Sequence, residues 1–206
     1  MLKELTKHLF PRLILEGNLR IAYTFCLGGL AFTCLLVLAG TGLLLIFYYS
    51  PSPAEAHASI QFLERAVWGG RYLRSLHRLA SHGLLILVAF HTVRVILTGA
   101  FQRPRRLNWV VGCLLLFLSV FEAYTGYLLP MDQLAYWATQ TGMELLRALQ
   151  LGGVVRAVLV PDSVAGPLSL LRFFALHVAV VPLGLFSLSM LHFFVIRRQK
   201  GLLPYL

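Results

Sequence analysis

Long apolar stretches dominate the chain, and none of them alternates with the period of a strand. Four are long enough to matter: residues 21–48, 76–97, 109–129 and 168–196. A spanning helix needs roughly 20 mostly apolar residues to cross about 30 Å of hydrocarbon. A backbone in lipid must also satisfy its own hydrogen bonds, which leaves helix or closed barrel. Runs this long and unalternating predict four membrane-spanning helices. Residues 133–150 (QLAYWATQTGMELLRALQ) predict a short interfacial helix that ends before the Gly152-Gly153 break. Residues 2–16 predict an amphipathic surface helix interrupted by Pro11. The chain thus divides into an amphipathic segment, 1–20, and a four-helix domain, 21–200. The expected fold class is all-α: an integral membrane four-helix bundle with short surface helices.

Composition agrees and narrows the choice. Of the 206 residues, 58% are hydrophobic and 13% charged, and mean hydropathy is +0.77. Soluble domains carry about 25% charged residues, so an ordinary soluble enzyme, a coiled coil and a disordered chain are excluded. The net charge of +10 would suggest a nucleic-acid binder in a soluble chain. Here its distribution says otherwise, and no nucleic-acid partner is expected. Residues 1–22, 99–107 and 197–206 hold ten Lys/Arg and two Glu, net +8, whereas residues 49–72 and 130–169 hold four Arg and five acids, net −1. With four spans these two sets fall on opposite faces. The positive-inside rule then puts both termini and the loop between the second and third spans in the cytoplasm, most simply across a bacterial inner membrane. Residues 1–20 lack the continuous apolar core of a signal peptide. The three cysteines, Cys26, Cys34 and Cys113, form no CxxC or CxxCH motif, and no disulfide framework is expected.

Ionisable residues inside a membrane are costly and point to function. Five histidines fall in the spans: His77, His82 and His91 in the second, His177 and His192 in the fourth. A lone histidine in a bundle is more often a hydrogen-bonded packing residue, but the spacing argues against that here. His77 and His91 are 14 residues apart, which returns to within about 40° of one helix face and about 21 Å further along the axis. His177 and His192 are 15 apart, about 60° off, with Pro182 between them to bend and re-phase the helix. The second and fourth spans run in the same direction, so His77 lies level with His177 and His91 with His192. Two pairs at two depths on facing helices suit two stacked bis-histidine haems, since electron-transfer haem takes two strong axial ligands and bundle cores hold such cofactors. His82 is about 140° from His77 around the helix and reads as packing.

Glycines repeat the interval. Gly28 and Gly42 in the first span are 14 apart, as are Gly112 and Gly126 in the third. They would let a flat macrocycle approach the backbone at both levels; small-residue helix packing is the alternative. Haem propionates want cations near each face. Arg74, Arg94, Arg103, Arg105, Arg106 and Arg172 stand near the four histidines or in the adjoining basic loop, although each would equally serve as an interfacial anchor.

With these residues in place, a resemblance is specific. RSLHR (74–78), HTVR (91–94), LTGAFQRPRRLNW (97–109), TGYLLPMDQLAYWA (125–138) and HFFVIRRQKG (192–201) resemble the b6-type, N-terminal four-helix half of the cytochrome b superfamily, from about Leu27 to Gly201. The resemblance implies two haem b groups, His77 with His177 at low potential on the outer side and His91 with His192 at high potential on the cytoplasmic side. It implies electron transfer from quinol to quinone in a bc/b6f-type oxidoreductase. The implied partners are a companion polypeptide carrying a PEWY-type loop, a Rieske iron–sulfur protein and a c-type cytochrome, in a homodimeric complex. In b6-type relatives one cysteine of the first span anchors a third haem, of c type, through a single thioether, and Cys34 is the expected position; its alternative is a small buried hydrophobe, which is the reading for Cys26 and Cys113. Arg197, Arg198 and Lys200 are candidates for the inner quinone or third haem, or plain topology charges. Two residues depart from the family. Met131 stands in Pro130-Met131-Asp132-Gln133 where an aromatic is expected. Glu122 lies inside the third span, where it either serves proton or quinone chemistry or is a neutral structural acid. The competing function is a dihaem quinone-reactive anchor of a non-Rieske dehydrogenase or hydrogenase. A haemless structural or transport subunit comes third, disfavoured by the paired histidines.

Overall fold

The computed structural model describes residues 25–150 and 152–198. The amphipathic segment 1–20, the first turn expected at 21–24 and Lys200 lie outside them. The described residues form helices and connecting turns, with no strand among them. Four helices are long and apolar enough to cross a bilayer: α1 (Leu27–Ile46), α3 (Gly70–Leu97), α4 (Arg106–Leu128) and the fourth span, Pro167–Arg198. That last span is α7 (Pro167–Ala175), a wide π turn (Leu176–Val180) and α8 (Val181–Arg198) in succession. Three shorter helices, α2 (Ala56–Ala66), α5 (Gln133–Arg147) and α6 (Gly152–Leu159), occupy the connections at one end of the bundle. That end is called upper here; the α3–α4 loop, with Arg103, Arg105 and Arg106, marks the lower end.

The expected spans are present with shifted ends. α3 begins six residues before 76, because Arg71, Arg74 and Arg78 depress the local hydropathy of a turn that is helical all the same. Its start is set by Gly69, whose φ of 73° ends the preceding turn, and by Gly70, where any Cβ would collide with the Leu63 carbonyl of α2. An ion pair from Arg74 to Glu64 ties α2 to α3. Neither α2 nor α6 was expected. Each is short and amphipathic, below the length at which an apolar run announces a helix.

α1 packs along α3, and α4 along α7 and α8. The two pairs meet at mid-depth in a cluster of Ala31, Leu35, Leu84, Val181 and Leu185. Phe32 of α1 sits edge-on to Phe193 of α8, with ring centres 5.1 Å apart. At the upper end Leu128, Met143, Val160, Val164 and Phe173 form a second cluster beneath α5 and α6. Tyr49, just past α1, donates its hydroxyl to the Leu129 carbonyl at 2.7 Å and stacks on Phe174. Burial raises the pKa of that hydroxyl, which keeps the donor proton in place.

Two carboxylates set the starts of surface elements. Asp132 accepts from the Ala135 N–H at 2.8 Å and caps α5. Asp162 accepts from the N–H groups of Leu168 (2.9 Å) and Ser169 (3.2 Å) and from the Ser169 hydroxyl, which together cap α7. The Ser169 hydrogen bond, aided by those backbone donors, holds the Asp162 carboxyl at about 2, below the usual value of about 3.9. A depressed carboxylate contributes stability that is present above the unfolded value and lost as pH falls through the folded one. Exchange protection of the Leu168 and Ser169 amides is therefore expected to hold between pH 7 and pH 4 and to fall as pH drops through about 2. Asp162→Ala removes it at every pH, and unchanged exchange rates in that variant would show that Asp162 does not cap α7.

Candidate functional site

The bundle brings the four expected histidines together in two pairs. His77 of α3 faces His177 of the π turn, ring centres 6.3 Å apart and ring planes 75° apart. His91 of α3 faces His192 of α8 at 6.4 Å and 76°. A metal–imidazole nitrogen bond is about 2 Å, so two imidazoles on opposite sides of one metal have ring centres about 6 Å apart. Both pairs match that spacing, and the residues present fit a bis-histidine cofactor at each level. His82 is exposed on the outside of α3, away from both pairs.

The π turn explains how unequal intervals align. Pro182 has no N–H to donate, and the turn ahead of it widens: the Val181 N–H reaches the Leu176 carbonyl, five residues back. One residue is absorbed in the bulge, so the 15-residue interval from His177 to His192 takes the phase and rise of 14 helical residues. It then matches the interval from His77 to His91.

Each glycine faces a histidine of its neighbouring helix. A Cβ at Gly28 would stand 3.3 Å from Cε1 of His91, one at Gly42 3.3 Å from Cε1 of His77, and one at Gly112 3.4 Å from Cε1 of His192. A Cβ at Gly126 would overlap the His177 ring. The close approach on display is that of the imidazoles to the backbones of α1 and α4.

Hydrogen bonds orient the upper pair. Thr41 donates its hydroxyl to the Val37 carbonyl at 2.7 Å, which leaves its oxygen to accept from Nδ1 of His77 at 2.8 Å. Nδ1 of His177 lies 3.1 Å from the Glu122 carbonyl oxygen, 3.2 Å from its Oε1 and 3.3 Å from Thr125 Oγ1. A carbonyl can only accept, so Nδ1 carries the proton and Nε2 keeps the lone pair a metal needs. At the lower level Nδ1 of His192 is buried, and the Asn108 backbone beside it does not reach it with hydrogen-bond geometry. Reading the sequence for histidines alone missed Thr41 and Thr125. A signal was present: both upper glycines are preceded by threonine (Thr41-Gly42, Thr125-Gly126), whereas the lower ones follow Leu27 and Val111.

Other expected site residues have different surroundings. Arg74 is engaged by Glu64. Arg172 donates to the Ala157 and Val158 carbonyls and closes the end of α6, so capping accounts for it. Arg94 lies in the last turn of α3, Arg105 precedes α4, and Arg197 lies in the last turn of α8, all at the lower end. Cys34 is half-buried between α1 and α3. Its sulfur lies against Gly83 of α3, 3.4 Å from where a Cβ would stand there, and it packs on the mid-depth cluster; a haem attached there would have to part α1 from α3. Cys26 is exposed at the start of α1, two residues from the glycine that faces His91. Met131, with φ 47°, lines a cleft of about 390 Å³ together with Asp132, Gln133, Tyr136 and Trp137, at the upper end.

Comparison with known proteins agrees with this architecture. The family model described as Cytochrome b/b6/petB matches residues 14–200. The chain is 42% identical to cytochrome b6 of Heliomicrobium gestii over 85% of its own length and 83% of that protein's. It is 39% identical to cytochrome b6 of Heliobacterium modesticaldum over 96% and 90%, and 40% identical to that of Synechocystis over 85% and 79%. Among solved structures it is similar to a chain of a hyperthermophilic respiratory Complex III, with a TM-score of 0.84 and 27% identity. That match covers 95% of this chain and about half, 52%, of the other.

The glycine contacts grade their substitutions. Gly126→Ala is expected to displace His177 and abolish cofactor binding at the upper pair. Gly42→Ala needs a shift of a few tenths of an ångström and should weaken binding at the upper pair; Gly28→Ala, and more mildly Gly112→Ala, should weaken binding at the lower pair. Gly40→Ala, with nothing within 4 Å, should be silent. Haem absorbance per polypeptide reads this order, and full occupancy in Gly126→Ala would refute it.

Proposed function

The chain belongs to the cytochrome b/b6 family, and on that premise we propose that it is the electron-carrying membrane subunit of a bc-type quinol oxidoreductase. The observation that carries this reading is the pair of imidazole couples at metal-spanning separation, stacked about 21 Å apart along α3. His77 and His177 hold one haem b, and His91 and His192 the other. When bound, the haems supply single-electron carriers that join a quinol site at one face of the membrane to a quinone site at the other.

The protein's own residues hold and insulate that path. Thr41 and Thr125 orient the upper ligands, the four glycines admit the imidazoles, and the cluster around Leu35, Leu84 and Leu185 keeps water from the layer between the levels. The upper end is the outer, quinol-oxidising face, with the cleft at Met131, Tyr136 and Trp137 bordering the quinol site. The lower end is cytoplasmic, where Arg94, Arg105 and Arg197 offer cations to propionates or to the inner quinone. The charge asymmetry of the connections supports this orientation. The third haem, of c type, attaches by one thioether to Cys26, since Cys34 is committed to the α1–α3 contact. The partners are a companion polypeptide that completes the outer site, a Rieske protein and a c-type cytochrome, in a dimeric complex of an energy-transducing membrane.

Met131 in place of an aromatic favours a second reading, a dihaem anchor for a non-Rieske dehydrogenase or hydrogenase. Co-purification separates the two: a Rieske protein and a PEWY-bearing partner support the first, a catalytic dehydrogenase subunit the second.

Haem counting by pyridine haemochrome, before and after acid–acetone extraction, tests the cofactor assignments. The chain should carry two extractable b haems and one that stays attached. His77→Ala or His177→Ala should remove the upper b haem and His91→Ala or His192→Ala the lower, with His82→Ala unchanged. Cys26→Ala should lose the attached haem and Cys34→Ala keep it; the reverse pattern would return the thioether to Cys34.

A further inference from the structure

Glu122 is an acid in the upper part of a spanning helix, and its two carboxyl oxygens have different surroundings. Oε1 lies 3.2 Å from Nδ1 of His177, while Oε2 is buried with no hydrogen-bond partner. The side chain is 16% exposed, so most of it is withdrawn from the surface. In hydrogen-bond geometry the same nitrogen meets the Glu122 backbone carbonyl at 3.1 Å and Thr125 Oγ1 at 3.3 Å, and Oε1 stands beside them at ion-pair distance. The partner ligand across the pair, His77, has a neutral acceptor, the Thr41 hydroxyl. Among the described residues no acceptor meets Nδ1 of His192 at the lower level in hydrogen-bond geometry. Of the four ligands, His177 alone is backed by a carboxyl group among the described residues.

An acceptor on the far nitrogen of a metal-bound imidazole fixes its ring and raises its basicity. A more electron-donating axial ligand stabilises the oxidised metal and lowers its potential. We propose that Glu122 is a positioning residue whose carboxyl oxygen shares the Nδ1–H of His177 with its own backbone carbonyl, makes that imidazole the strongest axial donor of the four, and thereby lowers the reduction potential of the upper haem relative to the lower. The inference rests on the reading that His77 and His177 hold a haem. It identifies the residue through which this chain biases single electrons from the upper couple toward the lower. No bond is made or broken in that bias, and no further reactant is needed.

The test is a potentiometric titration of both b haems in the haem-loaded full chain, with haem counted first. The couple lost in His177→Ala identifies the upper haem. Glu122→Met keeps the size of the side chain and removes the carboxyl oxygens, leaving the backbone carbonyl and Thr125 in place; Glu122→Gln keeps a side-chain acceptor, weaker than a carboxylate. The upper midpoint is expected to rise in Met by about threefold in the redox equilibrium constant, where tenfold corresponds to about 59 mV for one electron. Gln should lie between Met and the wild type, and the lower midpoint should stay put in both. A packing role would leave both midpoints where they are, so two haems at wild-type potentials in Glu122→Met overturn the proposal. If Met loses the upper haem, Gln decides: an upward shift confined to the upper couple supports the proposal, and no shift overturns it. A wild-type chain without two b haems would defeat the bis-histidine reading, and this inference with it, before any variant is made.

Discussion

Everything in the bundle is arranged around two imidazole couples that must meet across it at about 6 Å. Histidine within a span is expensive unless its nitrogens find partners. One nitrogen of each ring faces the opposite histidine, at 6.3 and 6.4 Å between ring centres. The other must be satisfied by the surrounding helices. That double requirement governs how closely α1 approaches α3 and α4 approaches α8, because each ring is backed by the glycine of a neighbouring helix. It also governs the pitch of the fourth span, since the π turn at Leu176–Val180 brings a 15-residue interval into step with one of 14.

The two levels are built alike and finished differently. Thr41, Thr125 and the Glu122 backbone carbonyl offer acceptors to the upper couple, whereas Nδ1 of His192 meets none in hydrogen-bond geometry among the described residues. On the proposed haem ligation, a difference of this kind sets the two potentials apart, as a directed electron path requires. The apolar layer between the levels, from Ala31 and Leu35 to Val181 and Leu185, keeps their surroundings separate and dry.

The upper end carries most of the short helices and most of the local capping. Asp132, Asp162 and Arg172 each close a helix end there, and Tyr49 ties the end of α1 to that of α4. These bonds hold the cleft at Met131 and Trp137 on short, well-capped elements, next to the end of the span that carries His177. A binding surface at this position lies beside the upper couple without cutting into the spanning core.

The sequence by itself determined the four spans, the two histidine levels and the glycines that accompany them. All of these are intervals along single helices, and a 3.6-residue period converts an interval into a face and a depth without knowledge of any neighbour. It could not supply what depends on how one helix is rotated against another. Pro182 announced a change of phase, but only the structure shows the wide turn before it that makes the change one residue. Arg74 and Arg172, placed by sequence near the haem edges, are taken up by Glu64 and by the end of α6, contacts that span α2 and α6, helices too short to show in hydropathy. Cys34 lies at a plausible depth, and only the packing of α1 on α3 turns its sulfur toward Gly83. Glu122 stood out as a charge in lipid, yet its partner is set 55 residues away, where the fourth span passes α4. Periodicity is a property of one chain segment; partnership is a property of two, and it is decided when they pack.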